Sequence, residues 1–284
     1  MSGTYAEKIN KNSYIEERKI KMIIIGEKLN SSIPSALEAM KNSEDEIVRL
    51  IKLQSDAGAD YLDINTALMT DAEYETMERI AKLVLSESEC GIMLDSPSPD
   101  VLTRAAKLCG DRKLILNSVT SDERIDEIAP VAAELGCGIV VMPMSVDEGI
   151  PTSAEGRLAC AMKAIEKLTS VGVSEENIYV DAICETLATG DTNALTALDT
   201  IKLVKEKTGA KTTCGLSNVS FGLPKRAFIN AAFMSMAIFC GLDSAIIDPT
   251  SKELRKALHS AEAVAGKDEY CMNYLEYVRG EFDI

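Results

Sequence analysis

The sequence predicts a single (β/α)8 barrel, on three observations. Eight short apolar runs recur along the chain, and helical patterns separate them. The alternation occupies about 260 residues, the size of one such barrel. Each run is nearly all apolar and lacks a clean period of two, as expected of parallel strands covered on both faces.

The first strand is read at KMIIIGE (21–27). EDEIVRLIKLQSDAGA follows, with Ile47, Leu50 and Ile51 on one helical face and Gly58 as a stop. The second, third and fourth strands are DYLDIN (60–65), GIMLDS (91–96) and KLILNS (113–118). DERIDEIAPVAAELG opens with an acidic turn and stops at Gly136, a second clear helix. GIVVMPM (138–144), NIYVDAI (177–183), KTTCGLSN (211–218) and SAIIDP (244–249) complete the set. A doubly wound open sheet is the competing topology, but no GxGxxG follows the first strand. No internal linker is visible, so residues 21–284 are expected to form one domain behind an N-terminal arm, 1–20. The arm carries several charges and no apolar signal core, which reads as a solubilising tail or an oligomer contact. The C-terminal EYCMNYLEYVRGEFDI is aromatic and amphipathic, fit to cover a barrel end or to join a dimer.

Composition narrows the function. A net charge of -15 argues against nucleic acid, which needs clustered Lys and Arg. Eight cysteines are spread singly, without a CxxC pair, and His259 is the only histidine. They read as buried, reduced thiols of a cytoplasmic protein, and no metal site is expected. No apolar run is long enough to cross a membrane.

The strand ends carry the functional signal. Glu27 and Asn30 follow the first strand, Asp63 and Asn65 close the second, and Asp95 and Asn117 close the third and fourth. Met142 and Met144 end the fifth, Asp181 the sixth, Ser217 with Asn218 the seventh, and Asp248 the eighth. A barrel opens all these ends on one face, where active sites of this fold are built. Asp95 and Asp248 could equally cap the helices that follow them. The inventory is carboxylates and amides, with hardly any strong cations. Such a rim suits a flat neutral heterocycle, because a carboxylate takes two parallel N–H bonds and an amide offers donor and acceptor together. Met142 and Met144 would add pliable apolar walls.

The ordered motifs GEKLN, LDIN, LDS, LNS, YVDA and GLSNVSFG, from about Met22 to the C-terminus, resemble the pterin-binding methyltransferases. That group includes methyltetrahydrofolate:corrinoid protein methyltransferases and the folate domain of cobalamin-dependent methionine synthase. LDS and LNS are weak alone, whereas GLSNVSFG followed by an arginine and IN is specific. The resemblance implies a barrel that holds the pterin of a tetrahydrofolate in its mouth. By the same resemblance, Asp95, Asn117 and Asp181 hydrogen-bond the ring, and Asp63 and Asn65 add polar contacts. Ser217 and Asn218 lie in the motif that approaches N5, Arg226 stands near the mouth, and Glu27 and Asn30 match the first-strand signature.

The implied reaction moves a methyl group between N5 of tetrahydrofolate and a cobalamin cobalt, in either direction, with Asn218 and Asp181 as the catalytic pair. A fixed amide can donate to the ring nitrogen or accept from its protonated form without a tuned pKa. Asn218 could instead serve only as a turn former. The chain shows no DxHxxG signature, so the corrinoid is expected on a separate protein, and the enzyme itself is expected to be a homodimer. Dihydropteroate synthase shares the barrel, but its NVTPDSFSDGG-type loop is replaced here by GEKLNSSIPSALEAM. A non-catalytic folate carrier or corrinoid-protein scaffold would use the same rim for binding alone.

Overall fold

All eight expected strands form, and every neighbouring pair is parallel. The structure is a computed structural model and describes residues 21–121, 124–145 and 149–282. The strands are β1 (Ile23–Asn30), β2 (Tyr61–Asn65), β3 (Gly91–Asp95), β4 (Leu114–Val119), β5 (Gly138–Val141), β6 (Ile178–Asp181), β7 (Lys211–Thr213) and β8 (Ser244–Ile247). Their order, β7-β6-β5-β4-β3-β2-β1-β8, leaves one seam between β7 and β8. A parallel bridge between Gly215 and Ile246 narrows it, with the Ile246 N–H donating to the Cys214 carbonyl at 2.9 Å. The result is a nearly closed (β/α)8 barrel in one domain. The expected arm at 1–20 lies outside the described residues.

Ten α-helices surround the barrel among the described residues. They are α1 (Pro34–Asn42), α2 (Glu44–Asp56), α3 (Glu73–Glu87), α4 (Pro99–Ala106), α5 (Arg124–Leu135), α6 (Ala154–Val171), α7 (Asn193–Lys207), α8 (Arg226–Cys240), α9 (Lys252–Val264) and α10 (Met272–Phe282). Helix starts follow local chemistry. Ser43, Ser98, Ser153 and Ser251 each accept a backbone N–H in the first turn of α2, α4, α6 and α9. Ser98 and Ser251 thus take the capping role left open for Asp95 and Asp248. Helix α10 packs along α9, with Tyr277 stacked on His259 at 4.4 Å, rather than across the barrel mouth.

Side-chain parity sorts the core into two layers and positions the site. Leu62, Ile64, Ile92, Leu94, Leu116, Ile139, Val141, Ile178 and Val180 face outward and are buried beneath the helices. Ile25, Met93, Ile115, Val140 and Tyr179 point inward and fill the barrel, flanked by Ile23, Tyr61 and Ile246. Each such apolar side chain contributes about 1.5–3 kcal/mol by leaving water. One pleat above this plug, the inward positions become Glu27, Asp95, Asn117, Asp181 and Thr213. The apolar plug therefore forms the floor of a polar mouth.

Two strand ends differ from the sequence reading. β5 stops at Val141, so Met142 and Met144 lie in the loop beyond it. β7 stops at Thr213, and residues Leu216–Ser220 coil into a 3-10 turn. The polar stretch SNVS cannot continue an apolar strand, and its backbone is satisfied locally instead. Five cysteines are buried as expected, but Cys160 and Cys240 are half-buried and Cys271 is exposed.

Candidate active site

The second and third strands build the centre of the mouth. Asn65 pairs in register with Asp95, and its Nδ2 donates to Asp95 Oδ2 at 2.7 Å. Its Oδ1 accepts from Ser31 Oγ at 3.2 Å and from the Ala67 N–H at 3.2 Å, which fixes the amide's orientation. Asn117 sits beside Asp95 in the ladder, is buried, and precedes a cis peptide bond. Asp95 does not cap α4; it faces the mouth.

Asp63 lies deeper. Its side chain is buried, and Oδ1 has no hydrogen-bond partner among the described residues. Burial, with repulsion from Asp95 and Glu27, pushes its carboxyl well above the usual range. The same burial favours the protonated form of Asp63, which donates as well as accepts. Burial also raises Asp95 to about 6, moderated by the Asn65 hydrogen bond and by Arg124. Burial raises Glu27 too, although Ser217 Oγ donates to its Oε2 at 3.1 Å.

The opposite wall comes from β6 and the turn after β7. Asp181 Oδ1 accepts the Ile183 N–H at 2.7 Å, and burial raises this carboxyl to about 6. Ile183 has φ 51, a left-handed conformation that costs a β-branched residue about 1–3 kcal/mol. Asn218 is exposed on the 3-10 turn, and no hydrogen bond among the described residues uses its side-chain amide. The amide folds back over Gly215, where an added Cβ would lie 3.0 Å from Nδ2. Arg226, at the start of α8, donates from Nη2 to the Ser217 carbonyl at 2.5 Å and from Nε to Ser220 Oγ at 3.0 Å. It holds the turn that presents Asn218.

Glu27, Asp63, Asn65, Asp95, Asn117, Asp181, Ser217 and Arg226 thus converge on one face, with Asn218 above them. Asn30 shares the level of Asn65, but its Oδ1 accepts the Ser32 N–H at 2.8 Å, and the side chain serves a turn. The expectation of hardly any strong cations is corrected. Lys28 pairs with Asp248 at 2.7 Å, Arg124 donates to the Ser96 carbonyl at 3.0 Å, and Arg157 lies behind Asp181. Asp248 also accepts from the Thr250 N–H and hydroxyl, so it is a turn residue held below the usual range despite burial.

Two residues escaped the sequence reading although signals existed. Thr213 faces inward beside Asp181, and its Oγ1 is buried without a partner among the described residues. The period of two in KTTCG marks it. Arg157 occupies the buried stripe of α6 with Ala154, Ala161, Ala164 and Leu168, where an arginine is out of place unless it has buried acceptors. Arg124 sits in the charged run DERIDE and offered no such signal.

Chemically, the mouth presents a buried acid biased toward its protonated form, two carboxyls raised to about 6, amides and an orphan hydroxyl. Orphaned buried polar groups are rare in folded proteins and point to a polar ligand. The mix fits a planar ring edged with N–H donors and carbonyl acceptors, which is what a pterin offers.

Comparison with known proteins agrees with that chemistry. The family model described as pterin binding enzyme matches residues 27–248. A methylcorrinoid:tetrahydrofolate methyltransferase from Eubacterium limosum is 30% identical over 262 residues, covering 91% of this chain and 96% of that protein. Methionine synthase from Mycobacterium tuberculosis is 29% identical over 242 residues, 80% of this chain but 20% of that much longer protein. Among solved structures, dihydropteroate synthase from Coxiella burnetii in complex with pteroic acid has a TM-score of 0.63 at 18% identity, covering 87% of this chain and 93% of that one. Dihydropteroate synthase from Thermus thermophilus gives 0.63 at 21% identity, with 87% and 95% coverage. These structural likenesses concern the fold. The family match spans every strand end from Glu27 to Asp248, and the chain belongs to the pterin binding enzymes.

Proposed function

We propose that the chain is a methyltransferase moving a methyl group between the cobalt of a corrinoid on a separate protein and N5 of tetrahydrofolate. The observation that carries this reading is the unengaged amide of Asn218, presented by a braced turn above a mouth of acids and amides. A carrier would need the mouth but not that amide. The name of the Eubacterium limosum relative runs from methylcorrinoid to tetrahydrofolate, and we adopt the same direction.

In the proposed mechanism, Asp95 and Asp181 accept the N–H edge of the pterin, while Asn117 and Asp63, whose carboxyl burial pushes upward, supply donor and acceptor groups around the ring. Asn65 and Ser217 hold Asp95 and Glu27 in place. Asn218 follows N5, accepting from its N–H before transfer and donating to its lone pair when the direction reverses. The proton displaced from N5 passes to Asp181, poised at about 6, or to water beside it. When bound on its carrier protein, the corrinoid supplies the methyl cation and keeps the electron pair on cobalt. Binding and orientation at the mouth provide the remaining rate acceleration.

The rim is shaped for a protein partner. Phe221 and Phe228 are 66% and 68% exposed, and Leu195 at the start of α7 is 54% exposed. Large apolar side chains left open beside a polar mouth favour docking by another protein. A homodimer is our proposed assembly, with exposed Met236 and Phe239 on α8 as an apolar face. The free thiols favour a reducing compartment such as the cytoplasm.

Dihydropteroate synthesis is the less specific reading, because the chain after Glu27 reads KLNSSIPSAL where that reaction needs a pyrophosphate loop. The test is spectral conversion of methylcobalamin to cob(I)alamin with tetrahydrofolate, and of cob(I)alamin to methylcobalamin with methyltetrahydrofolate. Asn218→Ala is expected to hold tetrahydrofolate within about tenfold of the parent while losing about a hundredfold or more in transfer rate. Equal rates in both proteins would remove Asn218 from the mechanism.

A further inference from the structure

The side chain of Arg157 is 1% exposed, yet it reaches the catalytic wall from α6. Its Nη1 donates to the carbonyls of Ala182 at 2.8 Å and Ile183 at 2.7 Å. Its Nε donates to the Pro151 carbonyl at 3.0 Å, and its Nη2 to Glu185 Oε2 at 2.6 Å. One guanidinium therefore ties the loop after β5 to the loop after β6. Both bonds from Nη1 fall on the two residues that immediately follow Asp181.

The two bonds act on different parts of the turn. Ile183 is held in the left-handed region, and its N–H, in the same peptide plane as the Ala182 carbonyl, meets Asp181 Oδ1 at 2.7 Å. A β-branched residue leaves this conformation unless its surroundings fix it. The Arg157 fork supplies that fixation from the carbonyl side, while the Ala182 N–H is anchored to the Thr213 carbonyl at 2.9 Å. Released, the turn would relax, and the Asp181 carboxylate would lose both its backbone donor and its aim.

We propose that Arg157 is a positioning residue for the site: it locks the Ala182–Ile183 turn and thereby aims the Asp181 carboxylate into the barrel mouth. This rests on the reading of Asp181 as a pterin-binding and proton-handling group. Arg157 touches no ligand itself; its guanidinium is enclosed by carbonyls and Glu185. A lysine in its place would keep the charge but not the planar fork. The charged and titratable groups that bear on Asp181 are Arg157 from α6, Asp95 from β3 and the Cys214 thiol beyond β7, with Cys184 beside that thiol.

The experiment measures tetrahydrofolate affinity by calorimetry across pH, with thermal melting of the same full-length samples. Arg157→Lys is expected to weaken binding by about tenfold, with the acid limb of the pH profile unmoved because the charge remains. Arg157→Met is expected to weaken binding further and to move the acid limb upward, since a positive neighbour of Asp181 is gone. Glu185→Gln, at the partly exposed end of the fork, is the mild variant and is expected to weaken binding less in the same direction. Arg112→Lys serves as control, because Arg112 also caps carbonyls, those of Leu85, Ser88 and Cys90, but at the other end of the barrel. It is expected to lower the melting temperature alone.

Folded Arg157 variants that bind as the parent does at every pH would overturn the proposal. So would an acid limb that moves equally in Arg112→Lys. A parent that binds no tetrahydrofolate would overturn the assignment of Asp181 and this proposal together. A parent that binds as expected but transfers no methyl group would count against the proposed reaction and leave the role of Arg157 standing.

Discussion

Asp95 gives Oδ2 to Asn65 and leaves Oδ1 without a protein partner among the described residues, which is the geometry of a carboxylate waiting for a second donor. Asp181 is similar, with Oδ1 on the Ile183 N–H and Oδ2 uncommitted among the described residues. Both carboxyls are raised to about 6 because ionising them in a confined mouth among other acids is costly. A carboxyl raised from 3.8 to about 6 stabilises the free fold below pH 3.8, and that contribution is lost as pH rises through 6. A ligand that donates N–H bonds favours the ionised form and so gains affinity over the same interval. The affinity for tetrahydrofolate is expected to fall by about tenfold or more between pH 7.5 and pH 5. Asp95→Asn is expected to melt higher than the parent at pH 7.5 while binding the folate at least about tenfold more weakly. Calorimetry and melting curves check both, and a flat pH profile would count against the carboxylates as ligand acceptors. The acids were legible in the sequence because each ends an apolar run. Their raised protonation was not, since it arises from convergence of β2, β3 and β6, which no local pattern encodes.

The turn after β7 shows what an element adds to a motif. GLSNVSFG marks a site in the sequence, but its shape becomes clear only in the fold, where Leu216–Ser220 wind into a 3-10 turn. Arg226 and Ser220 brace that turn from below, and Gly215 leaves bare space for the Asn218 amide. Gly215 has φ -73, which any residue can adopt, so its value lies in the missing Cβ rather than in backbone freedom. Gly215→Ala is therefore expected to preserve the melting temperature, because the atom it meets is the end of a flexible, exposed side chain. The methyl-transfer rate is expected to fall by about tenfold through displacement of the amide by a few tenths of an ångström. Transfer at the parental rate would show that Asn218 reaches N5 from another rotamer. Helices α2 and α5 were readable from apolar spacing and their Gly58 and Gly136 stops, both at positive φ. The end of β7 was not readable, because a polar turn and a polar strand end look alike until the ladder is seen to stop.

Across the whole molecule, the same period of two that packs Ile25, Met93, Ile115, Val140 and Tyr179 into a plug places the polar groups one pleat above. Packing and site are thus consequences of one register. This is why the barrel and most of its rim could be derived from strand-end residues alone. What could not be derived are the contributions from helices, namely Arg157 and Arg124, because their neighbours are set by how α5 and α6 pack on the barrel. The central claim is that these strand ends enclose a single reduced pterin, and a crystal structure with bound tetrahydrofolate tests it most directly. The expected complex has the ring's N–H edge on Asp95 and Asp181, Asn117 and Asp63 within hydrogen-bond reach, and N5 facing the Asn218 amide. A ring bound outside the mouth, or one seated there with Asp95 and Asp181 turned away from it, would contradict the claim.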